Sequence, residues 1–154
     1  MMSEKKKENI AIINGPNINI LGIREPDVYG RSSWDEMEGK LNKLGEKLGV
    51  CLFFYQSNYE GGIVDYIQEH LDILDGVVIN PAAFTKTGYS ILDVLIACGA
   101  PFVEVHLSNI FERGGWHAET IFAPYAVGHI NGFQGNVYTL GLQALCDHIR
   151  EKKK

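Results

Sequence analysis

Short apolar runs alternate with amphipathic segments along the chain, and this alternation constrains the fold more than any other feature. The first run, residues 10–13, is rich in β-branched side chains and stops at Asn14-Gly15-Pro16, which predicts a buried strand that ends in a loop. Further strands are predicted over residues 50–55, 76–80, 102–106 and 126–130. Strands that alternate with helices imply a parallel sheet with right-handed crossovers and helices on both faces.

The segments between these runs carry helical periodicity. Ser33 followed by Glu36 forms a capping-box pattern, and Gly49 is expected to end the helix that Ser33 begins. The apolar positions of this helix are Trp34, Met37, Leu41, Leu44 and Leu48. A second helix is predicted from the stripe Val64, Ile67, Leu71 and Leu74, a third from Ile91, Leu95 and Cys98, and a closing helix over residues 137–152. Residues 15–32 form an unusually long connection, which in a small domain favours a functional loop.

Length and charge restrict the classes of function. The 154 residues fit one domain, predicted over residues 9–150, with a disordered basic tail at residues 1–8 and a basic tail at residues 151–154. The net charge of −5 provides no basic field for a nucleic acid, and no apolar run reaches the length of a membrane span. Cys51, Cys98 and Cys146 are separated and lie in apolar sequence, so we expect reduced core thiols and a cytoplasmic protein.

Polar residues follow three of the predicted strands. The first strand runs into Asn14-Gly15-Pro16-Asn17, the third into Asn80-Pro81, and the fourth into His106-Leu107-Ser108-Asn109. Because the carboxyl ends of parallel strands meet at one edge, we expect these side chains to converge on a ligand site. Neither a phosphate loop nor a dinucleotide fingerprint is present, so a nucleotide cofactor is not expected.

The long connection carries Arg24 and Tyr29, five residues apart. A guanidinium beside a phenol favours the ionised phenolate, which can act as a base. The alternative is an aromatic side chain that packs the loop against the domain and an arginine on the surface.

Four motifs in order and at matching spacing resemble the type II 3-dehydroquinate dehydratases. These motifs are N-G-P-N at residues 14–17, R-E-P-x-x-Y-G at residues 24–30, Asn80-Pro81-Ala82, and E-V-H-L-S-N at residues 104–109. The resemblance extends over residues 10–149, nearly the whole chain. It implies a flavodoxin-like three-layer sandwich with strand order 2-1-3-4-5, no cofactor, no metal, and trimers assembled into dodecamers.

The resemblance also implies roles for individual residues. Tyr29 would be the base that removes a C2 proton, Arg24 would favour its ionised form, and Asn17 would hold a water or the enolate oxygen. His106, oriented by Glu104, would protonate the departing C1 hydroxyl. Residues expected to bind the substrate are Asn80, the backbone of Leu107, Ser108, and Asp93 of an adjoining subunit.

Two positions depart from the family pattern. Lys86 stands where a substrate-binding histidine is expected, and His117 follows Trp116 where the family carries an arginine. The guanidinium that would hold a ring hydroxyl is therefore expected to be missing. Lys86 and His117 could bind the same diol by another geometry, or they could mark a change of substrate.

The sequence thus predicts a lyase that converts 3-dehydroquinate to 3-dehydroshikimate by anti elimination through an enolate, in the shikimate pathway of aromatic amino acid biosynthesis. Loss of water from a β-hydroxy ketone needs a base, stabilisation of an enolate and an acid, and these motifs supply all three. The first alternative is a dehydratase of the same family that acts on another hydroxylated keto acid. A non-catalytic oligomeric binding protein and a Schiff base on Lys86 are further alternatives.

Overall fold

The computed structural model describes residues 3–23 and 25–154, and within them the chain forms a parallel sheet. Its strands are β1 (Asn9–Asn14), β2 (Cys51–Gln56), β3 (Gly76–Asn80), β4 (Phe102–His106) and β5 (Gly128–Asn131). The strand order is β2-β1-β3-β4-β5, and each neighbouring pair is parallel. The predicted order and direction are both confirmed.

Helices connect the strands and cover the sheet. They are α1 (Pro26–Tyr29), α2 (Trp34–Leu48), α3 (Glu60–Glu69), α4 (Tyr89–Cys98), α5 (Ile110–Arg113) and α6 (Asn136–Lys152). The Ser33 side chain accepts a hydrogen bond from the Glu36 N–H at 3.3 Å, and Gly49 ends α2 at a positive φ of 68°. Both predicted signals for this helix are therefore present.

The core has two halves because side chains alternate along each strand. On β1, Ile10 and Ile12 face the half that α2 and α6 cover, whereas Ala11 and Ile13 face the half that α3 and α4 cover. These four β1 residues are all fully buried, so both faces of β1 lie in the core. This arrangement is the three-layer sandwich that the sequence predicts.

Several local predictions differ from the structure. The helix α3 ends at Glu69, so Leu71 and Leu74 lie beyond it, and its fully buried positions are Ile63 and Ile67. The one-turn helix α1 lies within the long connection predicted over residues 15–32. Its first residue is Pro26, whose fixed φ suits the first position of a helix. Cys51 was predicted to lie in the core, but it is exposed because it opens the edge strand β2.

Glu8, which the sequence assigns to a disordered tail, is buried beside β1. Its carboxylate accepts hydrogen bonds from Arg150 Nε at 3.3 Å and Arg150 Nη2 at 3.1 Å. Arg150 Nη2 also donates to the Leu48 carbonyl oxygen at 2.6 Å, and Lys153 Nζ lies 3.6 Å from the Glu8 carboxylate. The hydrogen bonds from Arg150 lower the pKa of Glu8 to about 2. This network connects the start of β1 to α6 and to the end of α2.

No helix among residues 3–23 and 25–154 combines the length and the apolar character that crossing a membrane requires.

Candidate active site

A cavity of about 450 Å³ opens at the carboxyl edge of the sheet, where β1, β3 and β4 end. Most of the residues that the sequence assigns to a site line it: Asn17, Tyr29, Asn80, Lys86, His106, Leu107, Ser108 and His117. Glu104 lies behind His106, fully buried. Arg24 lies outside the described residues. The predicted convergence of polar side chains at this edge is therefore observed.

The loop after β1 is held against the loop after β3. The Gly15 N–H donates to the Asn80 carbonyl oxygen at 2.8 Å, and a Cβ atom on Gly15 would lie 2.3 Å from the Pro81 carbonyl oxygen. Only glycine permits this approach. Asn17 follows in the left-handed region at φ 68°, and its N–H donates to Asn58 Oδ1 at 3.1 Å. These contacts place Asn17 at the entrance of the cavity.

Tyr29 ends α1 and is half-buried, with its ring against the core. The Gln134 side-chain amide donates to the Val28 carbonyl oxygen at 3.2 Å, which connects α1 to the loop before α6. Gly30 follows at φ 85°, and a Cβ atom there would lie 3.0 Å from Gln134 Oε1. The position of Tyr29 is thus set by contacts made outside the cavity.

His106 and Glu104 form a buried pair on β4. His106 Nε2 lies 2.7 Å from Glu104 Oε1, and the Thr120 hydroxyl donates to the same oxygen at 2.6 Å. Residues two apart on a strand face the same side, as the sequence predicts for this pair. An ionised carboxylate only accepts hydrogen bonds, so Nε2 carries the proton in the pair and Nδ1 remains available to a ligand in the cavity.

His129 lies beside this pair and was not identified from the sequence. It stands opposite Glu104 in the β4–β5 register, and its Nε2 lies 3.9 Å from Glu104 Oε1. Burial and the nearby His106 lower the pKa of His129, while Glu104 acts in the opposite direction. Three buried side-chain atoms of the described residues have no hydrogen-bond partner: Glu104 Oε2 and His129 Nε2 at this point, and Asn14 Nδ2 at the end of β1.

Asn80 was expected to bind the substrate, but much of its side-chain amide is used within the protein. Its Nδ2 donates to the Tyr138 hydroxyl at 3.0 Å, and its Oδ1 accepts from the Ala82 N–H at 3.1 Å. The Tyr138 hydroxyl in turn donates to Asn14 Oδ1 at 2.7 Å. Burial raises the pKa of Tyr138, so this hydroxyl stays protonated. One N–H of Asn80 is left for a ligand.

Lys86 and His117 each have a partner in the structure. Lys86 Nζ lies 2.7 Å from the Glu119 carboxylate, and both side chains are largely exposed. His117 Nε2 accepts a hydrogen bond from Arg113 Nη2 at 2.8 Å. Partial burial and the Arg113 charge both lower the pKa of His117, which suits its role as an acceptor.

The cavity does contain a guanidinium, although it comes from Arg113 and not from position 117, where the sequence carries a histidine. Arg113 lines the cavity, its Nη1 lies 3.4 Å from Ser108 Oγ, and its Cζ lies 5.3 Å from the centre of the Tyr29 ring. The Asn109 side chain accepts hydrogen bonds from two N–H groups of α5 and so begins the helix that ends at Arg113. Asn109, three residues after the end of β4, is the sequence signal for this helix, because asparagine is a preferred N-cap residue.

Asp93 lies away from the cavity of its own chain, on the exposed face of α4. Tyr89 and Ile96 are exposed on the same helix, four residues before and three residues after it.

A doubly wound α/β fold and a polar cavity at the carboxyl edge of its sheet, containing a tyrosine and a buried histidine–glutamate pair, define an α/β protein built to bind and react with a small molecule. The family model for dehydroquinase class II matches residues 8–146. The chain therefore belongs to the dehydroquinase class II family.

Individual relatives agree over nearly the full length. The 3-dehydroquinate dehydratase of Carboxydothermus hydrogenoformans is 43% identical over 143 residues, with 93% of each chain covered. That of Aliarcobacter butzleri is 46% identical, with 94% of this chain and 88% of the relative covered. The crystal structure of the type II dehydroquinase from Butyrivibrio crossotus superposes with a TM-score of 0.87 at 36% identity, covering 90% of this chain and 97% of that one.

Proposed function

We propose that this chain is a hydro-lyase that dehydrates 3-dehydroquinate to 3-dehydroshikimate, a step of the shikimate pathway. The proposal rests on one observation in a member of the dehydroquinase class II family. Tyr29 and His106 line the same cavity, and Glu104 contacts His106 from behind. Relatives named 3-dehydroquinate dehydratase at 43–46% identity support the substrate.

Tyr29 is the proposed base. As a phenolate it takes the proton from C2 of the substrate, and the electron pair of that C–H bond forms an enolate with the adjacent carbonyl. The Arg113 guanidinium lies 5.3 Å from the centre of the Tyr29 ring, and Arg24 is proposed to favour the ionised form of this side chain. Asn17 at the cavity entrance is proposed to hold a water or the enolate oxygen.

His106 is the proposed acid. When the enolate collapses, the C1–O bond breaks, and the protonated imidazole donates its Nδ1 proton so that the hydroxyl leaves as water. Glu104 is a positioning residue, because its carboxylate at 2.7 Å holds Nε2 and stabilises the charged ring. The cycle closes when the proton taken by Tyr29 returns to solvent and His106 is protonated again.

The other residues that line the cavity provide the substrate contacts. Ser108 and the backbone of Leu107 are proposed to bind the substrate carboxylate, together with the remaining N–H of Asn80. Arg113 and His117 also line the cavity, where a hydroxyl of the substrate ring can replace part of the hydrogen bond between them.

The pairing of Lys86 with Glu119 bears on the alternative of a changed substrate. A free ammonium would favour an additional anionic group on the substrate, but Glu119 at 2.7 Å neutralises this charge. The cavity also keeps a guanidinium in Arg113. Both observations favour the substrate that the relatives' names give.

A homo-oligomer is proposed as the active form, with trimers assembled into a dodecamer. Asp93, Tyr89 and Ile96 occupy one exposed face of α4, and two of the three are large apolar side chains. In this arrangement Asp93 reaches the cavity of an adjoining subunit. A cytoplasmic location is also proposed, because Cys51, Cys98 and Cys146 are all free thiols, which suits a reducing compartment.

The proposed reaction is tested by following the absorbance of the conjugated enone product with the parent chain and with Tyr29→Phe. Removal of one phenolic oxygen should lower kcat by about 10²–10⁴-fold and leave product binding unchanged. Tyr125→Phe is the matched control, because Tyr125 is exposed and does not line the cavity. A parent chain without turnover, or Tyr29→Phe within a few-fold of it, would contradict the proposal.

A further inference from the structure

Three potential metal ligands converge behind the cavity. One oxygen of Glu104 and one ring nitrogen each of His106 and His129 lie within 4.8 Å of one another. Glu104 and His106 are adjacent on one face of β4, and His129 reaches the same point from β5, where it stands opposite Glu104. The site is thus built on two hydrogen-bonded strands, which hold its ligands more rigidly than loops would.

We propose that Glu104, His106 and His129 form a binding site for a divalent first-row transition metal ion, with Zn²⁺ as the best fit. Two imidazoles and one carboxylate are a ligand set that Zn²⁺ accepts, and imidazole does not suit Mg²⁺ or Ca²⁺. In this assignment the ion is an inhibitor that competes for His106, and it takes no part in the reaction.

The distances between the ligand atoms suit such an ion after small side-chain movements. Tetrahedral bonds of about 2.1 Å place ligand atoms roughly 3.4 Å apart. Glu104 Oε1 lies 2.7 Å from His106 Nε2 and 3.9 Å from His129 Nε2, so each separation lies within about 1 Å of that value. The two imidazole rings are tilted by 41° with centres 5.4 Å apart, so they are not stacked face to face.

The buried polar atoms of this cluster support a cation site independently of the distances. Glu104 is fully buried, and its Oε2 has no hydrogen-bond partner; neither does the buried His129 Nε2. A buried carboxylate with incomplete pairing is costly, and a cation bound by Glu104 and by His129 Nε2 would offset its charge and give the imidazole nitrogen a partner.

Neighbouring side chains supply the outer contacts that metal sites usually have. The Thr120 hydroxyl donates to Glu104 Oε1 at 2.6 Å, and the Asn131 side-chain amide lies 3.4 Å from His129 Nδ1. Three protein ligands leave a fourth position on the ion, which water can occupy.

The expected consequence for turnover rests on the proposed function. His106 Nε2 must lose its proton before it can bind the ion, and the ion replaces the hydrogen bond to Glu104. A ring bound through Nε2 keeps its Nδ1 proton, but giving that proton to the leaving hydroxyl would produce a metal-bound imidazolate, so the ring is a far weaker acid than the imidazolium. Metal binding should therefore stop the reaction, and removal of the ion should restore it.

The binding experiment titrates the chelator-treated chain with Zn²⁺ in a calorimeter. We expect one site per chain, no competition from Mg²⁺, and at least tenfold weaker binding to His129→Gln. Two control variants keep the site: His148→Gln, which removes an imidazole elsewhere, and Cys51→Ser, which removes the exposed thiol. Equal Zn²⁺ affinity of His129→Gln and the parent, or no binding to the parent, would overturn the proposal.

Two further measurements keep the proposal falsifiable. Co²⁺ added to the parent should give the visible absorption bands of a tetrahedral complex, and a purely octahedral spectrum would contradict the assignment even if His129→Gln failed to fold. In chelator, His129→Gln should turn over 3-dehydroquinate like the parent but need at least tenfold more Zn²⁺ for inhibition. A parent that binds Zn²⁺ but has no turnover would contradict the proposed function and leave the site intact.

Discussion

The protein buries two carboxylates at opposite edges of its sheet, Glu8 at the amino edge and Glu104 at the carboxyl edge. Glu8 is held by the guanidinium of Arg150 through two hydrogen bonds and has Lys153 nearby. Glu104 has no cationic arginine or lysine bonded to it among the described residues; its partners are His106 and the Thr120 hydroxyl.

The difference lies in what each partner can do with a proton. Arginine keeps its charge at any ordinary pH, so Glu8 stays ionised and its contacts serve stability. A histidine can take up and release a proton during a reaction, so the strength of the Glu104 contact depends on whether His106 holds a second proton. A carboxylate paired with a permanent cation thus stabilises the fold, whereas a carboxylate paired with an imidazole can support proton transfer.

The largest expected effect of breaking this contrast is at the carboxyl edge. Glu104→Gln keeps the shape and one acceptor oxygen but removes the charge that stabilises protonated His106, so kcat should fall by about 10²–10⁴-fold with little change in KM. The free energy of unfolding should stay the same or rise, because an incompletely paired buried charge is removed. Steady-state kinetics and urea unfolding of the same preparation measure both. A kcat within tenfold of the parent would remove Glu104 from the mechanism.

At the amino edge the same substitution should have the opposite result. Glu8→Gln should lower the free energy of unfolding by about 2 kcal/mol at pH 7, because Arg150 and Lys153 lose their common partner. Its kcat should match that of the parent. Glu4→Gln, in the exposed segment before Glu8, is the matched control. If Glu8→Gln lost activity but not stability, the assignment of Glu8 to stability and not to catalysis would be wrong.

The stability difference between the parent and Glu8→Gln should depend on pH. The pKa of Glu8 is lowered from 4.5 to about 2 in the folded chain, so its contribution is complete above pH 4.5. It should be lost as the pH falls from 4.5 towards 2, because protons then bind the unfolded chain preferentially. Urea unfolding of both chains across this range measures the difference. A difference that is constant with pH would exclude the ion pair as its cause.

The exposed ion pair at the cavity mouth gives the smallest expected effect. Glu119→Gln should change the free energy of unfolding by less than about 1 kcal/mol, because water screens Lys86 and Glu119. The double variant Lys86→His with His117→Arg should change kcat/KM for 3-dehydroquinate by less than about tenfold, since Arg113 already supplies a guanidinium. A large gain in the double variant, measured together with its single variants, would restore the alternative of a different substrate.

Much of this arrangement could be predicted from the sequence because its signals are local. Strand runs, the Ser33 cap and the polar residues after β1, β3 and β4 each depend on neighbours in the chain, and all are observed. The spacing of Glu104 and His106 on one strand likewise predicted their contact.

Pairings between distant segments could not be predicted. His129 reaches Glu104 only through the β4–β5 register, and Glu8 meets Arg150 across 142 positions of sequence. Arg113 was missed because its direction depends on where α5 begins. The partners of Lys86 and His117 could not be predicted either, because a contact between side chains at the mouth of a cavity produces no periodic pattern in the sequence.

The contacts outside the cavity that hold Tyr29 affect how tightly a substrate can bind. Ile18 and Leu21 are buried in the core, and Gln134 holds the Val28 carbonyl, so residues 18–21 and 26–29 are packed in place in the chain without a ligand. A segment that orders only on binding takes about 2–5 kcal/mol from the affinity. In this chain these residues are ordered during folding, so substrate binding does not bear that free-energy cost. The contacts with the substrate then contribute directly to its affinity and orientation.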